Sequence, residues 1–129
     1  MSKPRILVVD DEPNLSHLVS MFLERTERFQ VLVENRSSQA LARAREFKPD
    51  VVLLDVDMPG KDGGEVARDM AADAQLRSIP VLFFTSLISR EEAGTKAVMR
   101  GSYRYLAKPV NPNVLVETLD LILAQAVAA

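Results

Sequence analysis

The sequence predicts a single α/β domain in which a five-stranded parallel sheet carries five helices on its two faces. Five short apolar runs alternate along the chain with longer segments whose apolar residues recur at helical spacing. Such alternation is typical of parallel strands joined by right-handed helical crossovers. Two of the runs also end abruptly in acidic residues, at the edge of a parallel sheet where ligands of α/β proteins bind.

The predicted strands are short runs rich in valine, leucine, isoleucine and aromatic residues. They occupy residues 6–9, 31–33, 51–54, 81–84 and 103–106. The first and third runs contain only apolar residues, so we expect them to be buried on both faces of the sheet.

The first two helices are predicted from apolar stripes and from end signals. Pro13 suits a first helical turn, and the stripe that follows it consists of Leu15, Leu18, Val19, Phe22 and Leu23. Ser37 or Ser38 is predicted to cap the second helix, which ends before Pro49.

The remaining three helices are predicted from glycines, caps and proline. Gly63 and its neighbouring glycine open the third. Ser89 and Glu92 have the spacing of a capping box for the fourth, and Gly101 is predicted to stop it. Asn111 caps the fifth helix, which starts at Pro112.

Length and composition limit the possible functions. The 129 residues suffice for one domain, 1–129, and 47% of them are apolar, which is ordinary for a globular protein. The net charge of −2 argues against direct nucleic-acid binding. Cysteine is absent, which excludes disulfides and thiolate metal sites and fits a reducing cytoplasm. No apolar run has the length of a signal peptide core or a membrane span, so we expect no membrane association.

Acidic residues form two clusters at predicted strand ends. Asp10, Asp11 and Glu12 follow the first strand, and Asp55 and Asp57 follow the third. Carboxylates brought together at one edge repel each other, so some must be protonated or a cation must join them. An oxygen-rich cluster without sulfur suits a hard divalent ion such as Mg²⁺.

Four motifs, each at a different strand end, make the chain similar to a known family along nearly its whole length. They are Leu-Val-Val-Asp-Asp-Glu-Pro at 7–13, Asp-Val-Val-Leu-Leu-Asp-Val-Asp-Met-Pro-Gly at 50–60 with Asp-Gly at 62–63, Thr-Ser at 85–86, and Lys-Pro at 108–109. In this order and spacing they resemble a response-regulator receiver domain of two-component signalling. The resemblance implies a flavodoxin-like sheet with strand order 2-1-3-4-5.

The resemblance also implies roles for the acidic residues. Asp55 corresponds to the phosphoacceptor. Asp10 and Asp11 correspond to the acids of a Mg²⁺ or Mn²⁺ site, with Asp11 as the direct ligand. The backbone carbonyl of Asp57 would be a further metal ligand.

Further residues correspond to those that read the phosphoryl group. Thr85 would hydrogen-bond one phosphoryl oxygen, Lys108 would pair with another, and the small Ser86 would leave room for the group. Tyr105, on the predicted edge strand, corresponds to an aromatic residue that changes rotamer together with Thr85. Pro109 would follow a cis peptide bond.

The resemblance implies two kinds of partner. A sensor histidine kinase or a phosphotransfer protein would donate the phosphoryl group. An unidentified output partner would bind the face formed by the predicted fourth helix, fifth strand and fifth helix. The fifth helix carries more apolar residues than one buried stripe requires, which is consistent with a contact surface.

Two alternative functions remain open on the sequence alone. Asp55 and Asp57 have the Asp-x-Asp spacing of haloacid-dehalogenase-like phosphohydrolases, in which the first aspartate is the nucleophile. That motif normally follows the first strand, and it would leave Asp10 and Asp11 unexplained. The other alternative is a phosphate-independent receiver used only for docking. Such receivers usually lack the aspartate or the lysine, and this sequence has both.

Overall fold

The structure is a computed structural model that describes residues 3–87 and 97–128, with side chains up to residue 126. The strands in these ranges are β1 (Arg5–Val9), β2 (Gln30–Glu34), β3 (Val51–Asp55), β4 (Val81–Thr85), β5 (Val98–Arg100) and β6 (Tyr103–Ala107). The α-helices are α1 (Pro13–Arg25), α2 (Ala40–Phe47), α3 (Gly63–Ala72) and α4 (Pro112–Ala128).

The described strands form one sheet of six strands in the order β2-β1-β3-β4-β6-β5. Five of them are parallel, and their order is the predicted 2-1-3-4-5, because β6 is the predicted fifth strand. The prediction of a five-stranded, all-parallel sheet is wrong in one respect. The short strand β5 runs antiparallel to β6, with Val98 opposite Tyr105 and Arg100 opposite Tyr103.

The extra strand replaces the predicted end of a helix. Gly101 was expected to stop the fourth helix, but it has φ +63° and lies in the two-residue turn of the β5–β6 hairpin. Glycine suits this turn because it adopts positive φ without strain. Pairing with β5 satisfies backbone groups that β6 would otherwise expose at the sheet edge. The capping box of Ser89 and Glu92 lies outside the described residues, which contain four α-helices rather than the predicted five.

Most helix starts agree with the sequence, but two details do not. Pro13 occupies the first turn of α1, and the Asn111 side chain accepts hydrogen bonds from the first backbone amides of α4. Ser37 begins a short 3₁₀ turn, Ser37–Gln39, and no capping bond from a side chain is found there or at the start of α2. Leu18, expected in the buried stripe of α1, is 48% exposed, because the buried face is centred on Ser16, Val19 and Leu23.

Side chains of successive strand residues pack on opposite faces of the sheet, as the pleat requires. Ile6 and Val8 of β1 belong to the core beneath α1 and α4, and Leu7 and Val9 belong to the core beneath α2 and α3. All residues of β3 are buried, as predicted for a strand covered on both sides. Both faces of the central sheet are therefore closed by helices, and its carboxyl edge is left for polar side chains. None of the helices in the described ranges is long and apolar enough to cross a membrane.

Candidate functional site

Four predicted site residues lie at the carboxyl edge of the sheet, each at the end of a different strand. Asp55 and Thr85 are the last residues of β3 and β4, while Asp10 and Lys108 directly follow β1 and β6. Because these four strands are parallel and adjacent, their ends converge, as the sequence predicted.

Three carboxylates meet on one side of this edge. Oxygens of Asp10, Asp11 and Asp55 all lie within 4.8 Å of one another. Asp10 and Asp55 are buried, whereas Asp11 is exposed to solvent. Oδ1 of Asp10 accepts a hydrogen bond of 3.0 Å from the amide of Glu12, but its buried Oδ2 has no partner among the described residues. A buried carboxylate oxygen without a donor is costly, and a hard divalent cation is a ligand that would satisfy it.

The electrostatics of Asp10 reflect the same crowding. The pKa of Asp10 is raised from 3.8 to about 7, mainly by burial and also by the neighbouring Asp55, while the Glu12 amide and Lys108 act in the opposite direction. At neutral pH the Asp10 carboxyl group is therefore close to its titration midpoint. A cation that joins the cluster would favour the ionised form and displace the proton.

Lys108 contacts Asp55 from another strand end. Its ammonium donates to Oδ1 of Asp55 at 2.7 Å, and the amide of Asp57 donates to the same oxygen at 3.1 Å. The Lys108 ammonium also lies 5.0 Å from the centre of the Phe84 ring. The peptide bond between Lys108 and Pro109 is cis, as the sequence resemblance implied. Asp55 is thus held between a positive side chain and the acidic cluster.

Thr85 is buried beside Asp55, and its hydroxyl group is already engaged. Its Oγ1 donates to Oδ2 of Asp57 at 3.3 Å and accepts from the amide of Leu87 at 3.1 Å. The hydroxyl of Ser86 donates to the same Asp57 oxygen at 3.4 Å. The metal role that the resemblance implied for Asp57 involved only its backbone carbonyl, and the side-chain contact with Thr85 was not predicted.

Tyr105 lies on β6, one strand in from the edge of the sheet. Its ring stacks on Phe83 with a centroid distance of 4.9 Å and an interplanar angle of 19°. The expectation that Tyr105 lies on an edge strand is wrong, because β5 pairs with the outer side of β6. Any rotation of the Tyr105 ring must therefore break a packed aromatic contact.

At two positions near the site, the residue type did not predict the contact that the structure shows. A Cβ atom on Gly63 would lie 2.4 Å from the backbone oxygen of Asp55, so only glycine allows α3 to begin this close to β3. The Asn35 side chain donates to the backbone oxygen of Asp10 at 2.7 Å. Gly63 was predicted as a helix start and as part of the Asp-Gly motif, without this contact, and Asn35 follows a strand whose end carries no predicted site residue.

Comparisons with known proteins agree with this geometry. Residues 6–120 match the family model described as the response regulator receiver domain. The chain is 37% identical over 120 residues to protein PilH of Pseudomonas aeruginosa, covering 93% of this chain and 98% of PilH. It is 37% identical to the DNA-binding response regulator MtrA of Mycolicibacterium smegmatis, covering 88% of this chain but only 48% of MtrA. The structure of the chemotaxis protein CheY4 of Vibrio cholerae superposes with a TM-score of 0.79 at 28% identity, covering 94% of this chain and 99% of CheY4.

Proposed function

Because the chain belongs to the response-regulator receiver family of two-component systems, we propose that Asp55 is its phosphoacceptor and that a divalent cation, Mg²⁺ or Mn²⁺, assists the transfer. The family implies a histidine kinase or a phosphotransfer protein as the donor. The observation that carries the proposal is the 2.7 Å contact between Lys108 and Asp55 beside the cluster of three carboxylates. This arrangement places the positive charge of Lys108 and a candidate cation site next to the carboxylate oxygens of Asp55, and phosphoryl transfer requires both.

The proposed reaction forms an acyl phosphate on Asp55. A carboxylate oxygen of Asp55 attacks the phosphorus of a phosphohistidine, a P–O bond forms, and the P–N bond breaks with its electron pair returning to the imidazole. A bound divalent cation supplies charge neutralisation and orients the transferring oxygens. Asp10, Asp11 and Asp55 would hold that cation through side chains, and Asp57 would hold it through its backbone carbonyl.

Lys108 and Thr85 would act on the phosphoryl oxygens. The Lys108 ammonium already touches the Asp55 carboxylate, so a small shift brings it to an equatorial oxygen of the incoming group. The Thr85 hydroxyl would exchange its long bond to Asp57 for a stronger bond to the charged phosphoryl oxygen. The phosphoryl group would stay on Asp55, which suits a signalling phosphoacceptor rather than an enzyme acting on an external substrate.

The signal would leave the site through β6 and α4. Movement of Thr85 toward the phosphoryl group vacates space at the end of β4, and Tyr105 on the adjacent strand β6 would rotate to fill it. The output partner would bind β6 and α4, together with the predicted fourth helix, which lies outside the described residues. Leu121 of α4 is 49% exposed and offers apolar contact area.

The geometry favours this function over both alternatives. In a phosphohydrolase of the Asp-x-Asp type, Asp57 would donate a proton to the leaving group, but here its carboxylate accepts bonds from Thr85 and Ser86. A receiver used only for docking would have no need for the close contact of Lys108 with Asp55. We further propose that the protein acts in the cytoplasm, where histidine kinases phosphorylate their partners. The sequence contains no cysteine, so a reducing compartment would break no disulfide bond in it.

Chemical phosphorylation tests the proposal. Incubation with acetyl phosphate and Mg²⁺ should add one phosphate to the intact protein, detected by mass spectrometry, and Asp55→Asn should abolish the addition. Asp50→Asn is the matched control, because Asp50 precedes the same strand β3 at its opposite end, where its carboxylate bonds the Arg5 amide. This control should be phosphorylated like the parent. Undiminished phosphorylation of Asp55→Asn would refute the assignment.

A further inference from the structure

The loop between β1 and α1 carries Asp10 and Asp11, two of the proposed metal ligands, but few hydrogen bonds within the loop hold its backbone in place. Glu12 is the N-cap residue of α1, and no side chain in the described ranges supplies a capping bond there. Within the loop, the Asp10 carboxylate accepts from the Glu12 amide at 3.0 Å. The acids Asp10 and Asp11 repel each other and Asp55 in the absence of a cation. Something outside the loop must therefore hold their backbone in place.

Asn35 makes that connection from the end of β2. Its Nδ2 group donates to the backbone oxygen of Asp10 at 2.7 Å and to Oγ of Ser16 at 2.9 Å. One amide group thus ties the end of β1 to the first turns of α1. Both hydrogens of the amide nitrogen are used, one for each partner.

The identities of the partners determine the orientation of the Asn35 amide. The backbone oxygen of Asp10 can only accept. Ser16 is fully buried, and its single hydrogen faces the carbonyl oxygens of Glu12 and Pro13, each at 3.1 Å. With its hydrogen used in this way, the Ser16 oxygen accepts from Asn35, and a flipped amide would place oxygen against oxygen at the Asp10 carbonyl.

The end of β2 holds the peptide groups on both sides of Asp10. The Asp10 amide donates to the backbone oxygen of Glu34 at 3.1 Å, and the Asp10 carbonyl accepts from Asn35. Glu34 is itself buried and held by the Arg43 side chain at 3.0 Å. The backbone that carries the Asp10 side chain is thereby anchored to a rigid neighbouring strand.

We propose that Asn35 is a positioning residue for the metal site, which fixes the Asp10–Asp11 segment so that its carboxylates converge with Asp55. The inference rests on the proposed function, because it assumes that these acids bind Mg²⁺. Outer partners that orient metal-ligating groups commonly contribute 10- to 100-fold in metal affinity. Asn35 touches no proposed ligand atom and acts through the backbone oxygen of Asp10 and the hydroxyl of Ser16.

The test compares Mg²⁺ affinity, measured by calorimetric titration, with amide hydrogen exchange of the metal-free protein. Asn35→Ala should weaken Mg²⁺ binding roughly ten-fold. It should also accelerate exchange of the Glu12 amide, because that amide depends on the position of the Asp10 carboxylate. Thr118→Ala is the control, since it removes a buried hydroxyl whose 2.7 Å bond to the Val114 oxygen is internal to α4. It should lower the melting temperature but leave both site readouts unchanged.

A second variant, Asn35→Asp, separates positioning from charge and serves if the alanine variant does not fold. An added carboxylate near a cation site would tighten Mg²⁺ binding through simple attraction. Positioning by hydrogen bonds predicts weaker binding, because a carboxylate oxygen would face the Asp10 carbonyl. Tighter binding by Asn35→Asp, or parent-like affinity and exchange in Asn35→Ala, would overturn the inference. A parent protein that binds no Mg²⁺ would instead refute the metal site of the proposed function, while Glu12 exchange would still decide whether Asn35 holds the loop.

Discussion

The ammonium of Lys108 and Oδ1 of Asp55, 53 residues apart in the chain, lie 2.7 Å from each other at the carboxyl edge of the sheet. Both side chains are largely removed from solvent, with exposed fractions of 18% and 2%. The pair brings one positive charge to a cluster of three carboxylates, in which the pKa of Asp10 is raised mainly by burial and also by Asp55. Lys108 alone does not offset the negative charge of the three carboxylates, and a divalent cation would offset the remainder.

Replacing Lys108 should separate phosphoryl transfer from cation binding. Lys108→Gln removes the charge and keeps a similar stem, so phosphorylation by acetyl phosphate should slow on the order of 100-fold. Mg²⁺ affinity should be retained or increased, since a positive charge next to the acids is lost. Rates are followed by intact mass and affinities by titration. Lys61→Gln is the control, because Lys61 pairs with Asp69 on the surface. A full phosphorylation rate in Lys108→Gln would contradict the proposed role.

The raised pKa of Asp10 predicts how stability depends on pH without metal. The unfolded chain loses the Asp10 proton near pH ~3.9, whereas the folded chain keeps it to about pH 7. The folded state binds more protons in this window, so this group lowers stability as the pH rises from about 4 to 7. Asp10→Asn should remove that loss and raise the melting temperature by about 4 °C at pH 8 in EDTA, with less change at pH 5. If the melting temperatures of parent and variant differed by the same amount at every pH in this range, Asp10 would not be the cause of the effect.

The contact of Thr85 with Asp57 predicts a variant that accepts phosphate but does not transmit the signal. Thr85→Ala should leave phosphorylation of Asp55 within about ten-fold of the parent rate, since Lys108 and the acids remain. Amide NMR shifts around Tyr105 on addition of beryllofluoride, a phosphoryl mimic, should be strongly reduced. Thr85→Ser keeps a hydroxyl and should restore them. Shifts of equal size in the parent and in Thr85→Ala would mean that another residue couples the site to Tyr105.

Two adjacent glycines provide a matched test of the close contact between α3 and β3. Gly63→Ala would force a Cβ atom to within 2.4 Å of the Asp55 backbone oxygen, so the helix start must shift. We expect a loss of about 1–3 kcal/mol in the free energy of unfolding and slower phosphorylation of Asp55. Gly64→Ala meets only Oδ1 of Asp62, the N-cap side chain of α3, at 3.3 Å and should have a clearly smaller effect. Denaturant unfolding of both variants makes the comparison, and equal effects would contradict it.

The sequence was sufficient to predict the parallel core of the sheet and the residues that gather at the candidate site. Apolar runs such as Val51–Asp55 are local signals of buried strands, and each predicted parallel strand was found. Once the strands are parallel and adjacent, Asp10, Asp55, Thr85 and Lys108 must gather at one edge, because each directly ends or follows a strand. Pattern and topology together were therefore sufficient to predict that these four residues lie at the same edge of the sheet.

Other features depend on which segments become neighbours in the folded chain, and they could not be predicted from local sequence. Residues 98–100 form a strand because the outer edge of β6 is available for pairing, whereas their local pattern predicted a helix. Leu18 is exposed because α1 turns Ser16 toward the loop that Asn35 holds. Gly63 lies against the backbone of Asp55, and the Asn35 side chain donates to the Asp10 carbonyl and to Ser16. Such contacts join residues that are far apart in the chain. Residue type and periodicity describe local structure, so they do not predict the distance between two segments that only folding brings together.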